Sequence, residues 1–160
     1  MDPRVALSAG EALSSKLMDT TTFTNKSRSA LVTASIGLAA LDVLHVLDHG
    51  RQGRSLGGGF ALFGLTGTAV IFISLWLVLR KHPLAPALAV PTGYFTALSL
   101  LLVHVISRTG VLSDPYSAAH VDALSWASVI AELACGVVVG TLGIVALTAR
   151  ANRDTNAALP

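Results

Sequence analysis

His45 and His49 stand four residues apart, so on a helix their imidazoles share one face and can close on a single cation. Asp42 and Asp48 join them, because at about 100° per residue all four side chains fall within an arc of about 120°. Further along, His104, Asp122 and Glu132 occur in or beside segments otherwise as apolar as lipid. A divalent transition metal, zinc foremost, suits this set: His45 and His49 supply two ligands, and His104 or a carboxylate from Asp42, Asp122 or Glu132 completes a tetrahedron. His120, on the projecting first turns of a helix expected to start at Pro115, is placed to lean over the same pocket. Carboxylates that are not ligands would orient the imidazoles. The chemistry expected of such a centre is metal-activated water attacking a lipid-like ester, amide or phosphate, with Glu132 or Asp48 as base. Arg51, Arg54 and Arg108 lie nearby and suit a substrate anion or a lipid phosphate.

The segment His45-Val46-Leu47-Asp48-His49 has the order of an inverted zinc-hydrolase motif, H-x-x-E-H, with aspartate in place of the glutamate base. No activity is carried over from that order alone. A b-type haem held by His45 and His104 is a second cofactor expectation, opposed by Asp42 and Asp48, which would line an apolar ring pocket poorly. A third reading needs no chemistry: a non-enzymatic accessory or transport subunit that uses the same carboxylates to bind an ion or a proton. Its partners would be membrane lipids and a membrane-protein partner or second copy, met through the small-residue surfaces of Gly136, Gly140 and Gly143, or of Gly64 and Thr68, unless those surfaces serve packing within the bundle itself. Gly57, Gly58 and Gly59 lack the Lys-Ser or Lys-Thr that a phosphate loop requires. Ser107, Ser125 and Ser128 read as packing hydroxyls rather than nucleophiles.

These residues need elements to position them, and the composition says which. Hydrophobic residues make up 52% of the chain and charged ones 12%, with a mean hydropathy of +0.67. That balance excludes an ordinary soluble domain. Four apolar runs carry it, at about 29–49, 60–79, 84–106 and 124–147. The second has no charge over its whole length, and at about 1.5 Å per residue it covers a hydrocarbon core of about 30 Å. The fold class expected is an all-α integral membrane protein, a four-helix transmembrane bundle placed as a multi-pass protein of the cell membrane. On the first helix the polar set occupies the last two turns. On the fourth, Asp122, Ser125, Val129 and Glu132 form a single stripe.

Charge gives the orientation. Eight cations (Arg4, Lys16, Lys26, Arg28, Arg80, Lys81, Arg150 and Arg153) fall on one side, against Arg51, Arg54 and Arg108 on the other. Both termini are therefore expected to be cytoplasmic, with the histidine-rich end facing outward. This asymmetry accounts for a pI near 9.0 without a nucleic-acid partner. Residues 1–28 read as a cytoplasmic segment, with a short surface helix announced by Ser8 and Glu11 and a linker over 19–29. Residues 50–59 read as an outer loop, Asp114–Pro115 as the start of the fourth helix, and 150–160 as a disordered cytoplasmic tail. Cys135, the single cysteine, excludes an internal disulfide and a multi-thiolate metal site.

Overall fold

The computed structural model describes the backbone of residues 3–53, 58–106 and 121–157, with side chains from 25 and from 62 onward in the first two stretches. The described chain is all-helical. Helix α1 spans Pro3–Arg51, α2 Gly58–Leu79, α3 Ala85–Leu100 and α4 Ala123–Ala157, and a π-helical stretch, Leu101–Ile106, continues α3. Four of these segments are long and apolar enough to cross a membrane: Asn25–Arg51, Leu62–Leu79, Ala85–Ile106 and Ala123–Ala157.

The helices pack in cyclic order, each on its sequence neighbours and α1 on α4. One end of the bundle gathers the start of the α1 span, the end of α2, the start of α3 and the end of α4. The other end gathers the reverse set, so successive helices run antiparallel. Short connections dictate this arrangement. The largest contact is α3 on α4, and glycine makes it possible. A Cβ on Gly93 would fall onto the Gly136 carbonyl and the Gly140 amide, and one on Gly136 would lie 2.8 Å from the Gly93 carbonyl oxygen. The backbones touch where Gly93 meets Gly136 and Gly140, with Val90 closing on Gly143. Gly64 differs, since a Cβ there would meet nothing within 4 Å.

The outer surface is unlike that of a water-soluble bundle. Leu44, Leu47, Leu62, Trp76, Leu124 and Ile130 are all more than half exposed, whereas Asp42, His45, Asp48, His49, His104 and Glu132 are buried. The larger apolar cluster is built on Leu38, Ile71, Ala89 and Val139, and a smaller one on Leu100 and Val129 lies at the histidine end.

Three expectations are corrected. The stretch 19–29, read as a linker, is helix, because no proline or glycine interrupts the chain between Gly10 and Gly37. The tail is helical as far as Ala157, again without a breaker before Pro160. The fourth helix does not run unbroken from Pro115, since Val121 and Asp122 are non-helical and α4 begins at Ala123. Asp114 and Pro115 themselves lie outside the described residues.

Candidate metal centre

The last turns of α1 carry Asp42, His45, Asp48 and His49, and all four point inward, as their common arc requires. His104 reaches them from the π-helical stretch, whose wider turn rotates the side chains after Leu100 away from an α-helical register. His104 is 2% exposed, as is Glu132, which comes in from α4 on the stripe of Ser125 and Val129.

His45, His49 and His104 form a compact group. Each can offer a ring nitrogen such that all three lie within 4.8 Å of one another. His45 Nε2 and His49 Nε2 are 3.1 Å apart. Tetrahedral zinc, with Zn–N of about 2.0–2.1 Å, sets ligand nitrogens about 3.3–3.4 Å apart, so this pair is already at ligand spacing. On the far side of the His45 ring, Nδ1 lies 3.6 Å from Glu132 Oε2. The two histidine nitrogens therefore divide: Nε2 faces His49, and Nδ1 faces the carboxylate.

Asp42 opens on the same cavity, with its Oδ1 accepting from Thr68 Oγ1 at 3.3 Å. Neither its Oδ2, nor Glu132 Oε2, nor His45 Nδ1 makes a hydrogen bond, although all three atoms are buried. The cavity holds about 130 Å³, and its other walls mix apolar residues, among them Phe63, Ile71, Phe95 and Val103, with the hydroxyls of Thr68, Thr96 and Ser99.

Asp48 and Asp122 belong to a neighbouring structure. Arg51 Nη2 lies 2.7 Å from Asp48 Oδ1 and 2.9 Å from Asp122 Oδ2, so one guanidinium ties the end of α1 to the start of α4. Gln52 Nε2 donates both to Asp48 and to Ser125 Oγ, the latter at 2.8 Å. Asp122 caps α4, its Oδ1 accepting from the Ser125 backbone amide at 3.0 Å. That hydrogen bond, joined by the Ser125 hydroxyl and Arg51, holds the Asp122 carboxyl below its ordinary value. The structure thus brings Asp42, His45, His49, His104 and Glu132 to one cavity and places Asp48, Arg51 and Asp122 in a clamp above it. His120, Arg54 and Arg108 lie outside the described residues. Sequence reasoning did not find Thr68 as the partner of Asp42 or Gln52 as a clamp residue, since each was one polar residue among many. The i, i+26 and i, i+73 pairings have no local signature.

No known protein family matches the chain, and neither does any curated protein or solved structure.

Proposed function

We propose that the chain is a multi-pass membrane protein that holds a divalent transition metal, zinc foremost, on His45, His49 and His104. The observation that carries this reading is three buried imidazoles converging within 4.8 Å, two of them already at ligand spacing, beside a buried carboxylate oxygen that makes no hydrogen bond. Soft-to-borderline nitrogen donors select zinc, copper, iron or nickel over calcium and magnesium. Glu132 orients His45 through Nδ1, and the fourth position of a three-histidine centre is open to water or substrate. Membrane insertion is supported by the apolar outer surface, with lipid replacing water against Leu47, Leu62 and Leu124. The cation asymmetry supports cytoplasmic termini and an outward-facing metal end.

The reaction such a centre can carry is hydrolysis of a lipid-like ester, amide or phosphate at the bilayer surface. A metal held there would supply an activated water for attack on the electrophile, and Glu132, on the Nδ1 side of His45, would orient that imidazole. The apolar walls at Phe63 and Phe95 suit an acyl chain. Geometry supports a metal ion better than haem. The His45 and His104 rings touch edge to face with centroids 5.0 Å apart, which leaves no gap between them for a porphyrin plane. A second reading, ion or proton carriage without hydrolysis, draws on Asp42 and Glu132 sharing the cavity with Thr68.

A zinc titration of the purified protein tests the proposal. Binding that favours the folded state by mass action contributes about 2.7 kcal/mol at a hundredfold excess over Kd, enough to raise the thermal midpoint by several degrees. The expected result is a rise with zinc and none with magnesium. An equal response to both metals, or to neither, would count against the centre.

A further inference from the structure

A second cavity, of about 490 Å³, opens at the end of the bundle opposite the histidines. Four cations from three separate segments line it: Arg28 of α1, Lys81 of the α2–α3 turn, and Arg150 and Arg153 of α4. Among the described residues no carboxylate does so. Among the described residues none of the four is paired with an acid, and Arg150 instead donates to the Pro83 carbonyl oxygen at 3.0 Å. That bond fixes one wall by tying α4 to the turn. Helix α3 also starts here, with Leu84 at its cap giving no side-chain hydrogen bond and Pro86 lacking an amide proton. The positive end of its dipole therefore faces the same space. Lys81 is held at φ 58, a left-handed conformation unusual for a residue with a side chain.

Cations placed only to orient a membrane protein can spread around the rim, where water screens them. These four, though exposed, instead line one concave space, where an anion with several charged oxygens could meet cations from three segments at once. Guanidinium pairs recognise phosphate through parallel hydrogen bonds, and lysine adds a point charge. We propose that this cavity binds a phosphate group, carried either by an anionic lipid headgroup or by a small soluble phosphate compound. The site is separate from the histidine centre and does not depend on it.

The test uses the full chain in a neutral detergent at fixed ionic strength, titrated with dihexanoyl phosphatidic acid, dihexanoyl phosphatidylcholine and inorganic phosphate. The comparison set is R28Q, K81Q and R153Q, with R80Q as a control: Arg80 is next in sequence to Lys81 but stands over the Trp76 ring, 5.8 Å from its centroid, and does not line the cavity. Binding of phosphatidic acid, weakened about tenfold by each of the three variants and unchanged in R80Q, is the expected result. Inorganic phosphate at least tenfold weaker than phosphatidic acid assigns the group to a lipid, and comparable affinity assigns it to a soluble compound. Phosphatidylcholine binding as well as phosphatidic acid overturns the proposal, as does an equal loss in R80Q, or binding of neither phosphate probe. Should one variant fail to fold, the remaining two carry the comparison.

Discussion

His45 and His49 meet through their Nε2 atoms, 3.1 Å apart, while Glu132 stands on the opposite, Nδ1 side of His45. One imidazole is thus gripped between a potential metal-binding partner and a potential orienting carboxylate. The i, i+4 spacing produces the first contact, and the approach of α1 to α4 produces the second.

Glu132→Gln keeps the shape of the side chain and removes its charge. If Glu132 acts by holding the Nδ1–H tautomer of His45, zinc affinity should fall about 10–100-fold with the bundle still folded. Isothermal titration measures the affinity, and far-UV circular dichroism checks the fold. Unchanged affinity would reduce Glu132 to a packing residue.

Asp122→Asn should be tolerated, since asparagine also caps helices, whereas Asp122→Ala should lower the thermal midpoint slightly. The sign of the pH effect follows from the lowered Asp122 pKa. The cap's contribution is fully present above the ordinary value of 3.8 and is lost as pH falls through the lower folded value. With a side chain 52% exposed, the effect is small and screened by salt. Midpoints of wild type and D122N followed below pH 5 should converge.

Gly93→Ala drives a methyl group into the α4 backbone, so α3 and α4 must part. A loss of about 1–3 kcal/mol, read as a fall of several degrees in the midpoint, is expected. Gly50→Ala, where an added Cβ meets nothing, should change stability by no more than about 0.5 kcal/mol. Equal effects at the two sites would mean the α3–α4 contact is looser than described.

A reporter fused after Pro160 should lie in the cytoplasm. In a Cys135→Ser background, a cysteine at Gly58 should react with an impermeant reagent added outside. Reversed labelling would move the histidine centre to the cytoplasmic side and the cation cavity to the outer one.

Most of the bundle could be read from the sequence because helices long and apolar enough to cross a membrane leave a long apolar signature, and the four apolar runs expected coincide with the four such helices. The inward arc of Asp42, His45, Asp48 and His49 and the stripe of Ser125, Val129 and Glu132 were legible for the same reason: helical periodicity is fixed by backbone geometry. What could not be read depends on contacts between distant residues. Arg51, expected to meet an anion, is engaged by Asp48 and Asp122. The π-helical stretch that delivers His104 has no sequence signal, since a wider turn is stabilised by its surroundings rather than by local propensity. Asp122 was read as a stripe residue within a helix starting at Pro115 and is a cap, because α4 begins at Ala123.

Elemental analysis of the protein purified without chelator tests the central claim most directly, with His45→Ala, His104→Ala and His82→Ala measured beside the wild type. Ligand imidazoles must be neutral, so bound metal should also be released as the pH is lowered through the range in which histidine takes up protons. The account predicts about one zinc or related transition metal per chain in wild type and His82→Ala, and most of it lost in the other two variants. Wild-type protein that carries no stoichiometric metal and takes up none on incubation with zinc would contradict it.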